Sequence, residues 1–208
     1  MKIIAINGSP RKGWNTDILL QKALVGAKSV GASTEIIHLY DLDFKGCRSC
    51  MACNLKDGKS LGHCAIADGL KPVLEKIDQC DGLILGSPIY FGDVTAEMRA
   101  LLERLLYQYS NFAGGKSFYQ GHLKTGFIYT MNAPEGYMDD LYKKYAEMLG
   151  WYFTYMGTVA ATETQQVRDY NAYYLGMFDA QQRYGRREDQ FPLDCQAAYE
   201  LGQKIAQA

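Results

Sequence analysis

The apolar run Ile3-Ile4-Ala5-Ile6 passes directly into Asn7-Gly-Ser-Pro-Arg-Lys-Gly-Trp-Asn-Thr16, and the residues beyond repeat apolar side chains at helical spacing. A strand that ends in a glycine- and hydroxyl-containing loop, with a helix starting on the far side, restricts the chain to a small set of α/β architectures. The loop is also a place for an anion. The first N–H groups of the new helix point outward without partners, and the helix dipole favours negative charge there. Ser9 and Thr16 add hydroxyls, and Arg11 adds a planar cationic fork suited to phosphate.

Four further short apolar or β-branched runs follow, at Thr34–Leu39, Gly82–Gly86, Gly126–Met131 and Gly157–Ala160, after a first strand over Lys2–Ile6. Each is bounded by Gly, Asp, Asn or Pro. Helical patterns fall between them, over Asn15–Val30, Asp68–Gln79, Asp93–Tyr109, Met138–Leu149 and Leu193–Ala206. Asp68 is placed to cap the second helix, with Pro72 in its first turn. Alternating strands and helices require parallel pairing and right-handed crossovers. The expectation is therefore an α/β, three-layer, doubly wound five-stranded parallel sheet of strand order 2-1-3-4-5, with ligands at the carboxyl ends of the strands.

Residues 1–208 are read as a single domain with two segments outside that minimal pattern. One is the cysteine-rich stretch 44–67, and the other is the stretch 161–191, too long for an ordinary connection. Short helices are expected there over Tyr170–Met177 and Phe178–Tyr184. Only Tyr40 and Tyr90 of the 16 tyrosines precede Tyr107. Such a concentration suits an oligomer contact or lid first and a ligand surface second, because tyrosine combines apolar area with a polar tip.

With a formal net charge of -1, the chain lacks the basic footprint of a nucleic-acid binder. No apolar run approaches the roughly 20 residues of a membrane span. Only four apolar residues separate Met1-Lys2 from Asn7-Gly8, so no signal peptide is expected and a cytoplasmic location follows. In that setting the six cysteines are metal ligands, redox groups or core residues rather than a disulfide framework.

The identity of the phosphate ligand can be narrowed by elimination. Gly8 and Gly13 have the spacing of a nucleotide P-loop, but Trp14-Asn15 stands where Lys-Ser/Thr is needed, and no G-x-G-x-x-G follows the first strand. A flavin mononucleotide remains, since its phosphate enters such a loop without either motif. The third strand agrees with this. It runs into Ser87-Pro-Ile-Tyr-Phe-Gly-Asp93, where Ser87-Pro88 is expected to end the strand. Ile89, Tyr90 and Phe91 offer a flat apolar and aromatic surface, and Gly92 permits close backbone approach to a ring.

Together, Gly8-Ser-Pro-Arg-Lys-Gly-Trp-Asn-Thr16 and Gly86-Ser-Pro-Ile-Tyr-Phe-Gly92 resemble the NAD(P)H-dependent FMN reductase family of the flavodoxin-like fold, over residues 1 to about 160. The resemblance implies FMN, with phosphate contacts at Ser9, Arg11, Asn15 and Thr16, and isoalloxazine contacts at Pro88, Ile89, Tyr90, Phe91 and Gly92. It further implies that Thr130 and Asn132, after the fourth strand, complete the pocket. Catalytic side chains are not required, because the flavin carries the chemistry. NAD(P)H is the implied donor, ferredoxin an alternative one, and a small molecule or protein the redox partner.

Cys47, Cys50 and Cys53 are separated by two residues each, and Cys64 follows after ten more. Four thiolates suit a [4Fe–4S] cube or a zinc tetrahedron. The run resembles the iron–sulfur flavoprotein branch, in which the fourth cysteine follows after a shorter gap, and FMN reductase relatives also keep similar loops without metal. Cluster, zinc and free thiols all stay open at this stage. His63 reads as a loop residue, and Cys80 and Cys195 as packing residues. Other functions compatible with the sequence are a flavodoxin-like electron carrier and a thiol or metal redox-sensing module. A homo-oligomer, dimer or tetramer, is expected, with the 161–191 segment walling the exposed flavin face of a neighbour.

Overall fold

The computed structural model describes residues 1–114 and 117–207. In chain order the elements are β1 (Lys2–Asn7), α1 (Asn15–Ser29), β2 (Ser33–His38), α2 (Lys71–Asp78), β3 (Gly82–Tyr90), β4 (Asp93–Val94) and α3 (Ala96–Tyr109). They continue with β5 (Lys124–Thr130), α4 (Asp139–Gly150), β6 (Thr154–Ala161), α5 (Ala180–Asp189) and α6 (Phe191–Gln207). Five strands pair in parallel in the order β2-β1-β3-β5-β6, which is the expected doubly wound arrangement. The two-residue β4 is an addition, paired antiparallel with the end of β3.

Alternation along the strands sends side chains to both faces, and both faces are covered. Ile4, Ile6, Leu83, Leu85 and Phe127 pack with Val73, Ile77, Met98, Leu101, Leu105 and Leu149 of α2, α3 and α4. Ile3, Ala5, Ile84, Ile128 and Val159 pack with Leu19, Leu20, Ala23, Ala198, Leu201 and Ile205 of α1 and α6. Full burial of an isoleucine or leucine stabilises by about 1.5–3 kcal/mol, so the sheet fixes the strand tips firmly. No helix among the described residues is long and apolar enough to cross a membrane.

The α1–α6 crossing depends on two glycines. A Cβ on Gly26 would lie 2.0 Å from the Tyr199 carbonyl oxygen, and one on Gly202 would lie 1.8 Å from that of Ala23. The two backbones meet where no other residue fits.

Several expectations need correction. β3 does not stop at Ser87-Pro88 but runs to Tyr90. Its β1 partner ends at Asn7 opposite Gly86, so Pro88 faces a free edge on that side and breaks no ladder bond there. The third helix begins at Ala96, not Asp93, because Asp93–Val94 is drawn into β4 and Thr95 becomes the N-cap. Asp68 does not cap α2: the helix starts at Lys71, and the Asp68 carboxylate accepts from Leu70 N–H and from Arg104. Within 161–191, Tyr170–Ala172 is a single 3₁₀ turn, and the helix runs over Ala180–Asp189 instead of Phe178–Tyr184. The carboxylate of Asp179 accepts from Gln182 N–H at 3.0 Å and so fixes that start.

Candidate functional site

The loop after β1 is shaped from within by side chains whose own needs are met locally. Asn7, buried at the strand tip, accepts the Ser9 N–H at 2.8 Å and donates to Asp17 at 2.9 Å. Asp17, in the first turn of α1, also accepts the Gly13 N–H at 2.7 Å. Gly13 sits at φ +69°, the left-handed region that glycine enters without strain. These bonds fold residues 8–16 around the start of α1. Trp14 occupies the N-cap without a capping side chain, which leaves the leading N–H groups to the cleft.

The carboxyl end of β3 meets this loop directly. Gly8 N–H donates to the Gly86 carbonyl at 2.8 Å, and the Thr95 hydroxyl donates to the Gly8 carbonyl at 2.7 Å. Beyond Ile89 and Tyr90, Phe91 and Gly92 form the two-residue turn of a β3–β4 hairpin, at φ +50° and +84°. Positive φ at both positions is the type I′ geometry that matches strand twist. Glycine adopts it freely, whereas a phenylalanine there is strained by about 1–2 kcal/mol. Phe91 is fully exposed, so packing does not offset this.

One cleft, with an enclosed part of about 150 Å³, is lined by Ser9, Arg11, Asn15, Thr16, Pro88, Ile89, Tyr90, Thr130 and Asn132. The structure thus brings nine of the eleven expected cofactor residues together, while Phe91 and Gly92 stand at the hairpin tip beside it. Thr16 and Thr130 share a hydroxyl–hydroxyl bond of 2.7 Å across the sheet. Asn15 donates to the Gln165 carbonyl at 2.9 Å and accepts from Arg187 at 2.8 Å. Arg11 stacks over Trp14, 4.2 Å from its ring centroid, and donates to the Gln166 carbonyl at 2.6 Å. Arg11 and Asn15 are therefore engaged with the 161–191 segment, which closes one side of the cleft.

Trp14, Thr164 and Gln166 also line the cleft and were not anticipated, and Met131 lines it between the expected Thr130 and Asn132. Thr164 and Gln166 follow β6, and their position past a strand's carboxyl end is the signal that would have found them. Four buried polar atoms on these walls have no partner: Trp14 Nε1, both amide atoms of Asn132, and Gln166 Oε1. A buried orphan of this kind costs about 1–3 kcal/mol, so the cleft offers donors and acceptors to a polar ligand. The enclosed volume is below the ~300–1,000 Å³ of a complete small-molecule site. The Tyr40 phenol, close to Glu97 and Thr95 at the start of α3, is pushed up by burial and then by the Glu97 carboxylate.

The cysteine segment forms a second constellation. Left-handed residues Ser49 and Met51 bend the chain into a 3₁₀ turn over Ala52–Asn54. Cys47, Cys50, Cys53 and Cys64 all line one cavity of about 20 Å³, with Arg104, Tyr107 and Gln108 of α3 as its other polar walls. Cys50 is exposed, and the Ala52 N–H followed by Arg48 holds its thiol below the usual range. Burial pushes the Cys53 thiol up. None of the four is in a disulfide, and among the described residues no three Cys, His, Asp or Glu side chains stand as a single metal-ion site. His63 pairs with Asp78 at 3.3 Å, in keeping with a loop role. Cys80 is buried, its thiol pushed up to about 12 by burial, and Cys195 is half-buried.

Comparison with known proteins adds sequence kinship. The family profile of the NADPH-dependent FMN reductases matches residues 1–129. An iron-sulfur flavoprotein of Methanocaldococcus jannaschii is 39% identical over 120 residues, 55% of this chain and 60% of the relative. One from Archaeoglobus fulgidus is 43% identical over 104 residues, 50% of this chain and 48% of the relative. The aligned parts thus span about half to three fifths of these relatives' length. Among solved structures, an NAD(P)H:quinone oxidoreductase from Methanothermobacter marburgensis superposes with a TM-score of 0.72 at 13% identity, covering 99% of this chain and 98% of the other. An azoreductase from Bacillus anthracis gives 0.68 at 15% identity, covering 98% and 99%. At such identities these two establish the shared fold.

Proposed function

The chain belongs to the NADPH-dependent FMN reductase family, and from that premise we propose that it is an FMN-dependent oxidoreductase that takes electrons from NAD(P)H. The observation that carries this reading is the junction of the phosphate-cradle loop after β1 with the hairpin after β3, around a cleft holding four unpaired buried polar atoms. The site's polar atoms suit FMN in kind and place. The leading N–H groups of α1, with Ser9 and Thr16, would hold the phosphate, with the Arg11 guanidinium on the wall beside them. Asn132, with one donor and one acceptor, reads the polar edge of the ring. Pro88, Ile89 and Tyr90 line its apolar face, with Phe91 and Gly92 at the outer end. Bound FMN supplies hydride acceptance and one-electron transfer, and the protein supplies position and the exclusion of water.

Electrons leave to a small-molecule or protein redox partner. A [4Fe–4S] group on Cys47, Cys50, Cys53 and Cys64 is part of the proposal, supported by the names of the relatives. The assembly proposed is a homo-oligomer, dimer or tetramer, in which exposed Tyr173, Tyr174 and Met177 of the 161–191 segment cover a neighbour's flavin. The decisive test is anaerobic. Protein purified with added FMN is scanned from the near-ultraviolet to the red, then mixed with NADPH or NADH in a stopped-flow instrument. Bound flavin that bleaches supports the reductase. Flavin that stays oxidised with both donors points to an electron carrier, and protein that binds no FMN removes the proposal.

A further inference from the structure

The turn after β5 carries Asn132, whose side-chain amide is buried and without a partner on either atom. With no bond of its own, the amide takes its direction from the backbone beneath it. That backbone is braced on both sides by residues past β6. The Met131 carbonyl accepts the Thr164 N–H at 2.9 Å, and the Ala133 carbonyl accepts the Glu163 N–H at 3.1 Å. The Asn132 carbonyl, between those two, accepts from Arg183 Nη2 of α5 at 3.4 Å. Arg183 is 6% exposed, and its Nη1 donates to Glu163 Oε1 at 2.9 Å. Four residues on, Arg187 donates to the Asn15 side chain at 2.8 Å, so α5 reaches cleft residues after both β1 and β5.

Stability alone accounts poorly for this placement. Burying a guanidinium carries a desolvation cost, and an apolar residue of similar volume is often as stabilising or more so. Here the Arg183 Nε–H has no acceptor among the described residues, which adds to that cost. Its partner Glu163 is itself held in the left-handed region, at φ +50°. Both unfavourable features sit where one guanidinium fork ties the 161–191 segment to the turn that presents Asn132. We infer that Arg183 is a positioning residue: by holding the Asn132 carbonyl from α5, it aims the Asn132 amide into the cleft and sets how tightly the polar edge of a flavin is held there. This rests on the flavin reading above, and it concerns binding only, with no bond made or broken.

The test is a double-mutant cycle on the full chain, read by fluorescence-quenching titration with FMN. Arg183→Lys keeps a cation beside Glu163 but loses the second arm of the fork. FMN affinity is expected to fall about fivefold, the scale of coupling between residues in contact. In an Asn132→Leu background the same change is expected to lower affinity by less than about twofold, because the amide it aims is gone. A merely structural role would lower affinity by one factor in both backgrounds, and that result overturns the inference. Glu163→Gln, which loosens the anchor of the same guanidinium, is expected to lower affinity about threefold and serves, in the same cycle, if Arg183→Lys does not fold. Affinity within about twofold of the wild type, in each single variant that folds, also overturns it. Wild-type protein that quenches no added FMN overturns the flavin reading beneath it instead.

Discussion

Thr95 donates its side-chain hydroxyl to the carbonyl oxygen of Gly8 at 2.7 Å, so the N-cap of α3 grips the loop that follows β1. The Thr95 hydroxyl oxygen also accepts from Met98 N–H at 3.4 Å, and the Thr95 N–H is fixed by Ser87 Oγ at 3.0 Å. Thr95→Val keeps the shape and removes both bonds. Expected are a loss of about 1–2 kcal/mol in urea unfolding and weaker FMN binding in a fluorescence-quenching titration. Thr95→Ser restores most of both.

Asn132 presents two unpaired buried amide atoms to the cleft. Asn132→Leu removes two orphans from the ligand-free protein, which is expected to gain about 1 kcal/mol. The same change deprives the ligand of a donor and an acceptor, and FMN affinity is expected to fall by about tenfold or more. Calorimetric melting without FMN and a binding titration with it separate the two effects. A variant that loses stability and keeps its affinity contradicts the assignment.

Phe91 stands at φ +50° on the hairpin tip. Phe91→Asn, which tolerates the left-handed region, is expected to raise ligand-free stability by about 1 kcal/mol. Because the strain falls on a side chain proposed to face the ring, the variant should also turn over NAD(P)H more slowly. Denaturation curves and steady-state assays read these independently.

Asp194 is nearly buried on α6, and burial pushes its carboxyl pKa up, only partly countered by Gln190 and Arg186. A carboxyl with a folded-state pKa above its unfolded value binds the proton more tightly when folded. Its charge therefore destabilises at neutral pH, and this penalty disappears as pH falls through the folded pKa. Asp194→Asn is expected to raise Tm at pH 7 by about 2 °C, the response of a chain of this size to somewhat under 1 kcal/mol. At pH 3.5 the gain should be absent, as melting at the two pH values will show.

The parallel order of the sheet and most of the cleft were readable in the sequence because their determinants are local. The Asn7–Thr16 loop carries its strand, its glycine turn and its helix start within one short window, and Pro88–Tyr90 does nearly the same. The polar wall of Thr164 and Gln166 was not readable. It arises where the 161–191 segment folds back onto Arg11 and Asn15 through bonds such as Arg11 to Gln166 and Arg187 to Asn15, at sequence separations of 155 and 172 residues. The hairpin tip was missed for a different reason. Phe91-Gly92 lacks the Asn-Gly or Asp-Gly signature of a type I′ turn, and a strained phenylalanine contradicts local preference. The burial of Arg104 was hidden too, since a charged residue in a helical pattern reads as a solvated face until the cysteine segment is laid over it and Lys45, Ile66 and Asp68 accept its N–H groups.

The glycine crossing of α1 and α6 also couples the proposed anion cradle to a helix far away in sequence. α6 packs against α1, the helix whose first turn borders the cleft, and its closest approach is at Gly26 and Gly202. A side chain at either glycine would push α6 off α1, and the start of α1 would lose part of its rigid backing. Damage to the proposed cradle can thus come from a change nowhere near any residue that lines the cleft.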